Sequence, residues 1–159
     1  MEEEKRDLDP KCNRTEAGCG REAILESRRF GEMSVLCVDD IKANVLVLRH
    51  LLKAMGVSDV RVAQSGPAAL EQVEERAPDV IITDLWMPEM NGIEFANAVV
   101  SVRRIPEIRI IALTADMEAA KKGGGMEVFE QVLEKPVTIG KICQALCRPL
   151  YLPHDQRDV

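Results

Sequence analysis

Five side chains in this sequence have types and positions that could do chemistry together: Asp39, Asp40, Asp84, Thr114 and Lys135. Three carboxylates gathered at one place repel one another, and burying them unpaired costs several kcal/mol or forces protonation. A hard divalent cation removes that conflict. Mg²⁺ prefers oxygen ligands and keeps several waters, which suits a shallow acidic cluster with room for an incoming phosphate. Lys135 adds a positive charge, and the Thr114 hydroxyl can donate to a phosphoryl oxygen. If such a site transfers a phosphoryl group, one carboxylate is the nucleophile, since Asp can form an acyl phosphate. Asp84 fits best, provided the acidic pair falls on one side of it and the Thr and Lys on the other. Taken singly, an Asp–Asp pair is a turn or helix cap, Thr114 a helix start and Lys135 a solvated charge. The reading rests on the five occurring together.

The elements that must position them follow from hydropathy. From Ser34 onward short apolar runs alternate with longer amphipathic ones, the pattern of parallel strands joined by covering helices. Val35-Leu36-Cys37-Val38 reads as a buried strand ending at Asp39 and Asp40. Ala43 to Met55 carries Val45, Leu48, Leu52 and Met55 at helical spacing, with Gly56 as its C-cap. A second strand lies within Val57 to Ala63, and Pro67 to Arg76 is a helix with Pro in its first turn. Val80 to Thr83 is the third strand and ends at Asp84. After the turn-rich Met87-Pro88-Glu89-Met90-Asn91-Gly92, a helix is expected from about Gly92 to Val102. Ile108 to Leu113 is the fourth strand, ending at Thr114. Residues 116–128 read as irregular, because Gly123, Gly124 and Gly125 interrupt the fourth helix at up to about 1 kcal/mol each. Val132 and Leu133 form a short fifth strand before Lys135-Pro136. Thr138 caps a last helix with Ile139, Ile142, Cys143 and Leu146 on one face.

The expected architecture is therefore α/β: a doubly wound, five-stranded parallel sheet with helices on both faces and an irregular fourth helix, its strands taken in the usual flavodoxin-like order 2-1-3-4-5. In such sheets ligands bind outside the carboxyl ends of the strands, where all five residues lie. Residues 34–148 form the domain. Residues 1–33 read as a charged tail or interdomain linker, with a short helix over Arg21 to Phe30 weighed as an option, and 149–159 as a C-terminal tail.

Composition excludes other classes. The net charge of -6 argues against a broad nucleic-acid surface, and 3% aromatics leave no stacking platform for bases. Apolar stretches fall far short of the about 20 residues that cross a bilayer. An odd, scattered set of five cysteines and no leading signal peptide suit a reducing cytoplasm. His50 and His154 stand apart from the cluster and read as incidental. The glycine triplet lacks the Lys-Ser/Thr of a phosphate loop.

VDDIKAN at 38–44, TDLWMPEMNG at 83–92, ALTA at 112–115 and EKP at 134–136 resemble the acidic pair, phosphoacceptor loop, switch hydroxyl and Lys-Pro of bacterial response-regulator receiver domains. Four motifs in order, over about residues 34–148, make the resemblance specific. It implies a phosphoryl group accepted on Asp84 from a histidine kinase or histidine phosphotransfer protein, with Thr114 and Lys135 completing the site. It further implies Mg²⁺ bound directly by Asp40, Asp84 and the backbone carbonyl of Trp86, with Asp39 acting through water. Output would then go to a downstream protein partner or onward to a histidine, and the chain would be free-standing or one module of a hybrid sensor kinase. Val132 stands where the family has an aromatic, with Phe129 three residues earlier, which tells against ring rotation coupled to Thr114 as the signalling device. Two other classes compete: a receiver-fold interaction domain that is not phosphorylated, and a haloacid-dehalogenase-like phosphatase. The latter needs a second acid two residues after its nucleophile, and position 86 is Trp.

Overall fold

The computed structural model describes residues 30–102 and 108–147; of the expected terminal segments only residues 30–33 fall within these, and the helix weighed over Arg21 to Phe30 lies outside them but for Phe30. In chain order the elements are β1 (Ser34–Val38), α1 (Lys42–Ala54), β2 (Asp59–Ala63), α2 (Gly66–Glu75), β3 (Val80–Asp84), α3 (Gly92–Val102), β4 (Arg109–Thr114), α4 (Met117–Gly123), β5 (Gln131–Glu134) and α5 (Ile139–Cys147), with a 3₁₀ turn at Met126–Val128. The five strands form one sheet in the order β2-β1-β3-β4-β5, and every pairing is parallel.

The central strands carry apolar side chains at successive positions because both sheet faces are covered. Leu36, Val38, Ile81, Ile110 and Ala112 face a core shared with Ala69 and Val73 of α2, Phe95 and Val99 of α3 and Ala120 of α4. Val35, Cys37, Val80, Ile82, Ile111 and Leu113 face the opposite core, with Val45, Leu48 and Leu52 of α1 and Ile142, Ala145 and Leu146 of α5. Phe30 packs into that second core.

Local chemistry sets the helix ends. The C-terminus of α1 is a Schellman motif: Gly56 N–H donates to Lys53 O at 3.1 Å and Val57 N–H to Leu52 O at 3.1 Å, with Gly56 at φ +97°. Ser65 accepts from Ala68 N–H at the start of α2, and Thr138 accepts from Lys141 N–H at the start of α5. Asn91 and Glu94 exchange hydrogen bonds, each side chain accepting from the other's N–H at 2.9 Å, a capping box that fixes where α3 leaves the preceding loop.

The segment expected to be irregular is part helix. Asp116 accepts from Ala119 N–H at 2.9 Å and starts α4, which runs seven residues and stops at the glycines. Gly124 and Gly125 take φ of +71° and +76°, which continue no right-handed helix. The chain then descends through the 3₁₀ turn and buries Phe129 among α3 and α4 residues. Among the described residues no helix is long and apolar enough to cross a membrane.

Candidate functional site

Register gathers the site. Val38 lies opposite Thr83, so the residues that follow, Asp39 and Asp84, leave adjacent strands side by side. Across β3, Asp84 pairs with Leu113, and Thr114 pairs with Glu134, so that Lys135 follows one residue beyond. Lys135 N–H donates to Thr114 O at 2.8 Å, which extends the β4–β5 pairing to the lysine itself. The Lys135–Pro136 peptide is cis.

Asp39, Asp40 and Asp84 each offer a carboxylate oxygen, and these oxygens lie within 4.8 Å of one another. Asp39 is fully buried, Asp84 nearly so, and Asp40 half-buried. The Lys135 ammonium reaches across the sheet edge to Asp39 Oδ2 at 3.1 Å and Asp84 Oδ2 at 3.4 Å. Asp39 is the most fully occupied of the three. Its Oδ1 accepts from Ile41 N–H at 2.9 Å, and its Oδ2 accepts from Asn44 Nδ2 at 3.0 Å as well as from Lys135. Asp40 and Asp84 keep more of their lone pairs for another ligand.

Burial raises the Asp84 pKa above the ordinary carboxylate range. The Lys135 charge opposes that shift, the Asp39 charge adds to it, and hydrogen bonds from Trp86 N–H and Lys135 lower it again. One lysine is thus set against three acids. The donor set is all oxygen and over-supplied with negative charge, which is the chemistry of a Mg²⁺ site rather than of a soft-metal site.

Two features shape the mouth. Gly92 N–H donates to Leu85 O at 2.9 Å, folding the 85–92 loop back on the end of β3. Glu89 takes φ +66° within that loop. Thr114 is fully buried, and its hydroxyl is engaged within its own loop: it accepts from Asp116 N–H at 3.1 Å and donates to Asp116 O at 3.0 Å. Apolar surface surrounds the acids, with Ile41 54%, Trp86 57% and Ile139 44% exposed on the chain segments that follow Asp40, Asp84 and Lys135.

All five residues singled out in the sequence therefore stand at the carboxyl edge of the sheet. Asp39, Asp40, Asp84 and Lys135 form one cluster, while the Thr114 hydroxyl is turned to Asp116. Sequence reading assigned no role to Asn44, although its place five residues after Asp39, in the first turn of α1, is a usable signal. His50 lies on α1 on an exposed face; His154 is outside the described residues. Val132 is partly buried against the α3–α4 core and Phe129 is buried in it, so neither presents a mobile ring at the surface.

A five-stranded parallel sheet in this order, covered by helices on both faces, is the flavodoxin-like doubly wound class. Residues 35–147 match the model of the response regulator receiver domain, and the chain belongs to that family. It is 30% identical over 118 residues to the polar-differentiation response regulator DivK of Brucella ovis, covering 71% of this chain and 92% of DivK. It is 33% identical over 118 residues to the sensor protein GacS of Pseudomonas syringae pv. syringae, covering 72% of this chain but 13% of GacS. Among solved structures it superposes on the Vibrio cholerae chemotaxis protein CheY4 with a TM-score of 0.66 at 32% identity, over 72% of this chain and 95% of the other. The chain is a receiver domain of two-component signal transduction.

Proposed function

We propose that Asp84 is the phosphoacceptor, and that phosphorylation changes what the domain binds. The observation that carries this is the placing of Asp84 between two further acids and the Lys135 ammonium at the carboxyl end of the central strand. An Asp84 oxygen attacks the phosphorus of a phosphohistidine; the P–O bond forms as the P–N bond breaks, and the imidazole leaves carrying its nitrogen lone pair. Mg²⁺, held by Asp40, Asp84 and the carbonyl of Trp86 with Asp39 acting through water, would supply positive charge against the transferred phosphoryl oxygens. Asp39 suits the indirect part because Ile41 N–H, Asn44 and Lys135 already occupy its oxygens.

Lys135 moves its ammonium from Asp84 to a phosphoryl oxygen, compensating charge that the new group brings. Thr114 gives up its two hydrogen bonds to Asp116 and donates to another phosphoryl oxygen. That exchange pulls on the N-cap of α4, since Asp116 both holds Thr114 and caps the helix. Signal would leave through α4 and the β4–α4 loop rather than through an aromatic ring.

The donor is a histidine kinase or a histidine phosphotransfer protein: apolar Ile41, Trp86 and Ile139 beside the acids suit a protein surface better than a small phosphate ester. Such donors are charged from ATP, which places the encounter in the cytoplasm. The match to part of GacS supports a second setting, in which this chain is the receiver module of a hybrid sensor kinase.

Intact mass after incubation with acetyl phosphate and Mg²⁺ tests the assignment. Wild type gains one phosphoryl group and Asp84→Asn gains none. Equal gain in both, or gain in neither, overturns it.

A further inference from the structure

Outside the phosphoacceptor site, the structure brings together two thiols that their sequence positions left unremarked. Cys143 and Cys147 lie one turn apart on α5, with their sulfurs 3.6 Å from each other. Both are thiols and both are half-buried, so a small oxidant can reach them. Cys37 differs: it is fully buried in the sheet.

We propose that Cys143 and Cys147 form a redox-responsive dithiol that closes to an intrahelical disulfide when hydrogen peroxide reacts with either one. The thiolate of one cysteine attacks the peroxide; the O–O bond breaks, water leaves and a sulfenic acid remains. The second thiolate, already in contact, attacks that sulfur; the S–O bond breaks and a second water leaves. Two thiols are oxidised by two electrons and the hydrogen peroxide is reduced. The short separation makes the second step intramolecular, so ring closure outruns further oxidation of the sulfenic acid.

The fold gives this closure a structural consequence. Residues one turn apart on a regular helix hold their Cβ atoms about 5–6 Å apart, whereas a disulfide draws them to about 3.5–4.5 Å. The last turn of α5 must therefore give. Pro149, two residues past Cys147, has no N–H to give to the Ala145 carbonyl, so one helical hydrogen bond fewer resists. The carbonyls of the same turn are held from outside: Arg109 donates to Ala145 O at 2.9 Å and to Leu146 O at 3.3 Å while also pairing with Glu130 at 2.6 Å. Oxidation thus strains a pin that ties α5 to the start of β4 and to the residue before β5, two strands whose far ends carry Thr114 and Lys135.

The test uses the full chain, a small excess of hydrogen peroxide, N-ethylmaleimide under denaturing conditions, and tryptic mapping. Cys143 and Cys147 share one tryptic peptide, 142–157, because Pro149 blocks cleavage after Arg148. The expected product is that peptide lighter by two hydrogens and carrying no maleimide, restored to two maleimides by prior treatment with dithiothreitol. The total thiol count falls from five to three. Cys143→Ser yields no lightened peptide. Two maleimides on the peptide after peroxide, a sulfinic acid at either cysteine, or a cross-link to the Cys12 or Cys19 peptides overturns the proposal. The wild-type map decides the matter even if the variant fails to fold.

Discussion

A Cβ atom placed on Gly92 would lie 2.3 Å from the backbone carbonyl oxygen of Asp84 and 2.9 Å from the Leu85 Cα. The loop after β3 therefore returns so closely over Asp84 that no side chain fits between them. Its conformation is ordinary for any residue; the requirement for glycine is one of space. Gly92→Ala must push the loop outward, at about 1–3 kcal/mol by the usual cost of overpacking. Urea denaturation should show that loss, and the rate of acyl-phosphate formation should fall about tenfold or more because Asp84 and the Trp86 carbonyl move together. An unchanged rate would mean that the loop adapts without displacing Asp84.

Asp84→Asn should make the metal-free domain more stable at neutral pH. Burial and the neighbouring Asp39 raise the wild-type Asp84 pKa on folding. The sign follows: a group whose pKa is raised in the folded state favours folding while protonated, and that contribution is lost as pH rises through the folded value. At pH 7 wild type bears the cost of the ionised acid and the amide does not. The urea midpoint of the variant should exceed that of wild type by about half a molar in EDTA, and the gap should close as pH falls below the ordinary carboxylate range. A pH-independent gap would exclude ionisation as the cause.

Lys135→Ala removes the ammonium that bridges Asp39 and Asp84 and leaves three acids with no cation among them. The metal-free variant should lose about 1–2 kcal/mol at pH 7, less than a fully buried pair would cost because the lysine is partly solvated. Millimolar Mg²⁺ should restore most of it. Phosphorylation by acetyl phosphate should slow but persist, while the conformational response, read as altered amide exchange in the β4–α4 loop, disappears. Full loss of phosphorylation with metal binding intact would contradict that division of labour.

Trp86 is the sole tryptophan and is well exposed next to Asp84, so its emission should report occupancy of the acidic cluster. Titration with Mg²⁺ should change the fluorescence with a midpoint near millimolar, since two carboxylates and a carbonyl leave about half of an octahedral shell to water. Asp40→Asn and Asp84→Asn should each weaken the midpoint by about tenfold or more. No spectral change, with no heat of binding by calorimetry, would remove the metal from the proposed site.

Cys37, fully buried between β2 and β3 on β1, has its thiol pKa pushed up to about 12 by burial. It should resist thiol reagents at pH 8 in the native state and react at once in urea. The raised value also predicts alkaline fragility. The stability it confers is complete below the unfolded thiol's pKa of about 8.5 and is lost as pH rises from there through the folded value. Cys37→Ala should therefore flatten the alkaline limb of the stability curve while lowering stability at pH 7. Rapid labelling of native Cys37 would show that the sheet opens locally at this strand.

The strands were legible from residue patterns because parallel strands covered on both faces need unbroken apolar runs, as in Val80 to Ile82; their order followed from the usual flavodoxin-like arrangement rather than from any run. The acids, Thr114 and Lys135 were legible as a group because each ends one of those runs, and the sheet rule brings run ends together. The Schellman turn at Gly56 and the cap at Thr138 were legible for a similar reason: their hydrogen bonds join residues only a few positions apart. Tertiary packing alone decided the rest. Lys135 meets Asp39 across 96 positions of sequence, nearer than it meets Asp84, and no local pattern encodes that preference. Asn44 becomes a ligand of Asp39 only because α1 leaves the sheet at one angle, and Gly92 is confined only because the loop closes over β3. The break in the fourth helix was visible in its glycines, but the seven residues that do form a helix depend on the Asp116 cap and on Ala120 reaching the core. Such choices depend on distances between elements, which hydropathy and turn chemistry along one chain do not specify.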